Sequence, residues 1–117
     1  MMINRITILA DNLPGCTADG CSLEAEWGLA IYIEYNGKKI LLDTGASGLF
    51  AENAEKLGIN LEQVDFGVLS HAHYDHADGL EEFFQRNKTA PFYLSGAAGE
   101  NCYSYQNNEL KYDGIKK

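Results

Sequence analysis

The chain contains three histidines, and all fall within six residues: His71-Ala72-His73-Tyr74-Asp75-His76. Imidazole is the commonest protein ligand for transition metals. A carboxylate set among three imidazoles offers the nitrogen and oxygen donors that zinc, iron or manganese accepts. On a straight helix His71 and His73 would point about 200° apart and could not share an ion. On an extended segment positions 71, 73 and 75 share a face, and 76 points away. A tight turn after His73 would let His71 and His73 hold one metal while Asp75 and His76 turn towards a second. The spacing therefore fits a loop that supplies parts of two adjacent metal sites, not one helix-borne site of the H-E-x-x-H kind. The bland alternative is a solvated loop that picks up stray metal. The interposed Asp75 and the nearby Gly79 weigh against it.

The elements that must position this cluster can be read from periodicity. Residues 5–10 form a short apolar strand, followed by a polar loop from Asp11 to about Ser22. Leu29, Ile31, Ile33 and Tyr35 alternate with Ala30, Tyr32 and Glu34, the period of two that marks a strand. Asn36-Gly37 then favours a tight primed turn, and Lys39 to Leu42 runs back from it. Leu49, Phe50, Ala54 and Leu57 recur at helical spacing, and Gly58 sits where a left-handed terminator belongs. Asn60 with Gln63 resembles a capping box for a short turn. Phe66 to Leu69 reads as a buried strand that delivers the chain to Ser70 and the histidines. Asp78 with Glu81 suggests a second capping box, opening a helix that fades near Asn87. Pro91 to Ser95 reads as a further strand, and a short one is expected at Leu110–Tyr112. The alternation of strands and helices predicts an α/β architecture, with the cluster at a strand end where open α/β folds place ligands.

Composition bounds the function classes. The 117 residues suffice for one domain at most, and no internal repeat is visible. Lys plus Arg number 9 against 17 Asp plus Glu, for a formal net charge of -8. That balance argues against nucleic acid and anionic membrane surfaces as partners, because both demand a basic face. No stretch approaches the roughly 20 apolar residues of a membrane helix, and residues 6–10 are too short for a signal-peptide core. Cys16, Cys21 and Cys102 form an odd set at no framework spacing, which predicts free thiols and a cytoplasmic location. Trp27, followed by Gly28, is expected to pack in the core or at the sheet edge rather than serve as a substrate platform. Tyr32 and Tyr35 occupy strand positions where aromatics pack well.

His71–His76 followed by Asp78-Gly79-Leu80 resembles the H-x-H-x-D-H motif of the metallo-β-lactamase fold. Leu41-Leu42-Asp43-Thr44-Gly45 is similar to the upstream strand-end Asp-Thr-Gly of the same superfamily, at the expected distance. Ala25-Glu26-Trp27-Gly28-Leu29, Glu100 to Ser104 and Lys111 to Ile115 resemble a branch that includes dihydropterin synthase-like proteins of the methanopterin pathway. The resemblance implies an αββα sandwich and a metal-dependent hydrolase that activates a metal-bound water. It implies a dinuclear centre in the complete fold, usually zinc and sometimes iron or manganese. Carried over by motif, His71 and His73 would ligate the first metal, and Asp75 and His76 the second. Asp75 would also orient or deprotonate the water, and Asp43 would hydrogen-bond the site from behind without touching metal. A helix N-cap or Asx turn at Thr44-Gly45 is compatible with that role.

No histidine follows His76, whereas the resemblance implies further ligands from the later part of the fold. Residues 1–117 are thus expected to form the N-terminal half of the domain, with a polar, weakly ordered tail over 96–117. Whether such a half is active alone is left open by the sequence. Its open sheet face predicts self-association, with a second copy covering that face. Non-catalytic metal binding and a structural remnant are the alternatives to a hydrolase.

Overall fold

The structure, a computed structural model, describes residues 4–16, 20, 22–71, 73–94, 103–106 and 109–112; for the last two segments, and for Cys16, it describes the backbone alone. The expected thiol state of Cys16, Cys21 and Cys102 and the side chains of the tail lie outside those residues.

Strand β1 (Arg5–Ala10) pairs antiparallel with β4 (Ala30–Tyr35), and β4 pairs antiparallel with β5 (Lys38–Leu42). Between β4 and β5, Asn36 at φ 52° and Gly37 at φ 82° make the primed turn that the sequence predicts. After β5 the chain forms helix α1 (Leu49–Lys56), closed by Gly58 at φ 74°. A single 3-10 turn over Leu61–Gln63 then leads to β6 (Phe66–Val68), which lies parallel to β5. A one-turn helix α2 (Tyr74–Ala77), helix α3 (Leu80–Arg86) and strand β7 (Phe92–Tyr93) follow, with β7 parallel to β6. The main sheet therefore runs β1-β4-β5-β6-β7.

The polar loop after β1 holds two short paired strands, β2 (Gly15–Cys16) and β3 (Ser22–Leu23), which the sequence does not announce. Within the tail, β8 (Tyr103–Gln106) and β9 (Glu109–Tyr112) pair antiparallel, where sequence predicts only a strand near 110–112. Neither expected capping box forms. The Asn60 side chain accepts from Glu62 N at 3.0 Å, but the Gln63 amide oxygen takes Lys39 Nζ at 2.6 Å instead of returning to Asn60. Asp78 closes α2, and α3 starts from Gly79 without a side-chain cap.

Side chains alternate across the sheet, so the two faces differ. Leu9, Tyr32 and Leu41 point to the helical side and are buried with Phe50, Ala51 and Ala54 of α1 and Phe83 of α3. Phe92 packs against the same cluster, its ring lying where a side chain on Gly67 would be. Tyr35, at the hairpin end, is exposed. On the other face, register aligns Ile6, Ile33, Ile40 and Phe66 in one row and Ile8, Ile31, Leu42, Val68 and Tyr93 in the next. That face is apolar across five strands, and its Ile6 is 68% exposed. Among the described residues no helix is long and apolar enough to cross a membrane.

Candidate metal centre

Strands β5 and β6 are parallel neighbours, so their C-terminal ends open side by side, and both sequence motifs stand there. Asp43 continues the ladder by donating its N–H to Val68 O at 2.9 Å, at φ 61°. Asp is among the few residues that tolerate this left-handed conformation. The bend turns the Asp43 side chain inward, where it is 1% exposed.

Three donors converge on that carboxylate. Ser70 N–H reaches Oδ1 at 2.7 Å, the Ser70 hydroxyl reaches Oδ2 at 2.6 Å, and His76 Nδ1 lies 2.7 Å from Oδ2. An ionised carboxylate only accepts, so His76 carries its proton on Nδ1 and leaves the Nε2 lone pair for a metal. Ser70 has one hydroxyl proton, already given to Asp43. It must therefore accept from His71 Nδ1, 2.9 Å away, which leaves Nε2 as the ligating nitrogen of His71 as well. Asp43 thus sets two imidazole tautomers, one directly and one through Ser70.

His73, in extended conformation, caps α2, whose single turn carries Asp75 and His76 back towards the strand end. Thr44 fixes this turn by donating both its N–H and its hydroxyl to His76 O, at 2.8 and 3.0 Å. Leu29 N–H adds a bond to Asp75 O at 3.1 Å. At Gly79 a Cβ would fall 2.1 Å from Thr44 O and 2.7 Å from Ser47 O, so only glycine lets the two motif loops meet.

The ligand atoms of His71, Asp75 and His76 lie within 4.8 Å of one another. The rings of His71 and His76 are 4.1 Å apart, and His73 sits edge-on to His71 at 4.8 Å. Sequence reasoning pairs His71 with His73 and Asp75 with His76. At this strand end the donor atoms of Asp75 and His76 lie near that of His71, and the His73 ring also lies against His71. Burial, and then the neighbouring His76 and His73, hold the pKa of His71 below its usual value. A neutral imidazole is the form that binds metal. Two nitrogens and a carboxylate converging at this range form a donor set that fits a divalent transition metal.

Sequence reasoning missed Ser70, although a hydroxyl between a buried strand and the histidines was the available signal. It also misplaced Trp27, which is 66% exposed rather than packed, while Glu26, Gly28 and Leu29 around it are held to the frame. Glu26 belongs to the frame too, its carboxylate accepting from Ala46 N at 3.0 Å and Ser47 Oγ at 2.7 Å.

Over residues 28–116 the chain matches the sequence profile of the Metallo-beta-lactamase superfamily. It is 31% identical over 87 residues to ribonuclease Z of Agathobacter rectalis, covering 71% of this chain and 28% of that protein. It is 37% identical over 60 residues to a UPF0173 metal-dependent hydrolase of Staphylococcus aureus, covering 50% of this chain and 24% of that one. Among solved structures, a metallo-beta-lactamase of Cronobacter sakazakii superposes with a TM-score of 0.57 at 26% identity, over 76% of this chain and 36% of its own. The subclass B3 enzyme MEM-A1, from a soil metagenome library, gives 0.53 at 26%, over 75% and 38%. The chain thus spans 24–28% of those two curated relatives.

Proposed function

The chain belongs to the metallo-beta-lactamase superfamily, and from that membership we propose that it carries the metal-binding core of a hydrolase, with His71, His73, Asp75 and His76 as ligands and zinc as the favoured ion. One observation supports this above the others. Donor atoms of His71, Asp75 and His76 converge within 4.8 Å, while hydrogen bonds to Ser70 and Asp43 occupy the opposite nitrogens of both rings. A divalent cation, when bound, supplies Lewis acidity that acidifies a water and polarises a scissile bond. The protein's part is to present two imidazoles whose Nδ1 atoms are held by hydrogen bonds to Ser70 and Asp43. Asp75 stands beside them with a carboxylate that holds or takes a proton, its Oδ2 3.7 Å from His76 Nε2. Asp43 anchors the frame without facing the ligand side.

Elemental analysis of the purified, dialysed chain tests the reading. One or two zinc atoms per chain is the expected result, two corresponding to a dinuclear centre. A metal content near zero after zinc loading overturns it. Hydrolysis of lactam, thioester and phosphodiester probes by the loaded chain then separates an enzyme from a non-catalytic metal binder.

A second reading concerns assembly. The sheet face opposite the helices carries isoleucine, leucine, valine and aromatic side chains in two unbroken rows, with Ile6, Ile8 and Tyr93 exposed and the others half-buried, and large apolar patches are rare on monomers. We infer that a second copy of the chain packs on it, sheet against sheet. Sedimentation velocity should show a concentration-dependent dimer that Ile33→Lys disrupts; a monomer at all concentrations rules it out.

A further inference from the structure

We propose that Trp27 is a positioning residue, a flat platform beside the metal centre that receives an uncharged planar group of the ligand; this rests on the metal-site reading above. Trp27 is the chain's one tryptophan, and about two-thirds of it stands in solvent. It borders a cleft of about 190 Å³ whose wall also includes Asp11, Asn12, Leu29, Asp75 and His76. The cleft thus joins the indole to two of the residues that hold the metal.

The backbone on both sides of the indole is fixed. Glu26 N–H donates to Asp11 O at 3.0 Å, and the Glu26 carboxylate is tied to Ala46 and Ser47. Gly28 is pressed so closely on the α2 turn that a Cβ would fall 2.6 Å from Asp75 O. Leu29 N–H bonds the same carbonyl. Trp27 is therefore held in register with Asp75 by main-chain contacts, while its ring is left unburied. A large, mostly exposed aromatic on a rigid mount beside a ligand set is pre-organised for stacking and loses little entropy on binding. The cleft wall includes two acidic residues, Asp11 and Asp75, and among the described residues no lysine or arginine, which disfavours an anionic ring substituent, so an uncharged ring fits.

Acetohydroxamate and benzohydroxamate share one zinc-chelating group and differ only in the ring, so their affinity ratio isolates the platform. With the zinc-loaded chain, benzohydroxamate should bind roughly three- to tenfold more tightly, the range of an aromatic pair. It should also change the Trp27 fluorescence more than acetohydroxamate does. In Trp27→Ala the ratio should fall to near one, and in Trp27→Phe most of it should return. A ratio unchanged in Trp27→Ala, with hydroxamates still binding in a zinc-dependent way, overturns the platform and leaves the metal centre standing. Absence of zinc-dependent binding by either probe in the wild-type chain overturns both.

Discussion

His76 Nδ1 and Asp43 Oδ2 lie 2.7 Å apart although 33 residues separate them in the chain, and the contact joins the two sequence motifs into one unit. It orients the ring and fixes the proton, so Nε2 faces the ligand side. Losing such a supporting carboxylate typically costs about 10–100-fold in metal affinity. Asp43→Ala should therefore weaken zinc binding by that factor in a chelator competition, and less than His73→Ala, His71→Ala or His76→Ala does. If Asp43→Ala costs more than His73→Ala, Asp43 is itself a ligand. Unchanged affinity in both His71→Ala and His73→Ala would mean that the motif does not hold the metal.

Ser70 should matter for the His71 tautomer, beside the bonds that it gives to Asp43. Its hydroxyl passes the Asp43 carboxylate's demand for a proton to the His71 ring, 2.9 Å away. Nitrogen NMR of the chelator-treated chain should find the His71 proton on Nδ1, and Ser70→Ala should leave a mixture of tautomers. Ser70→Thr, which keeps the hydroxyl, should preserve the wild-type pattern.

The His71 titration has a definite sign. Burial first, then His76 and His73, lower its pKa in the fold below the usual 6.5. The unfolded chain therefore takes up this proton more readily, and any stability tied to the neutral ring is lost as pH falls through 6.5 towards the lower folded value. Proton NMR of the metal-free chain should show a midpoint below 6.5. His76→Ala should raise it only partly, since burial is the largest cause. A midpoint at or above 6.5 contradicts the packing described for the ring.

Much of this arrangement is legible along the chain because it is local. Asn36-Gly37 needs positive φ at both positions, Gly58 ends its helix in the left-handed region, and the three histidines sit beside one another. What escapes is whatever depends on contacts across the chain. Ser70 acquires its role only because parallel pairing of β5 with β6 sets it beside Asp43. The Asp78–Glu81 pattern promises a cap, yet the close approach of Gly79 to Thr44 and Ser47 fixes how α3 begins. Trp27 looks like core because tryptophans usually are. Its ring stays exposed while Glu26, Gly28 and Leu29 on either side of it make the contacts.

Asn87 should prove the most costly polar residue to remove outside the centre. Its buried amide donates to Leu61 O at 3.0 Å, Val64 O at 3.1 Å and Glu62 O at 3.3 Å, and its oxygen accepts from Thr89 N at 3.0 Å and Ala90 N at 2.8 Å. One side chain thus ties the 3-10 turn to the entry of β7. Asn87→Ala strands buried carbonyls and should cost about 1–3 kcal/mol. Asn87→Asp should be worse, because it sets a carboxylate against three carbonyl oxygens. Denaturant unfolding followed by circular dichroism measures both, and a loss under about 0.5 kcal/mol for Asn87→Asp would mean that the tie is not made.

Gly79→Ala tests whether the two motif loops are in contact. A methyl there meets backbone, Thr44 O at 2.1 Å and Ser47 O at 2.7 Å, so no side-chain rotation relieves the clash and the loops must part. Overpacking of this kind costs about 1–3 kcal/mol. Because Thr44 also holds His76 O, the displacement should reach the metal ligands and lower zinc affinity together with Tm. Gly58→Ala is the control. It meets nothing within 4 Å, so only its left-handed φ of 74° is strained. It should lower Tm while leaving zinc affinity as it was. Equal effects of the two substitutions on zinc affinity would mean that Gly79 serves general stability rather than the joining of the Asp43 and His76 loops.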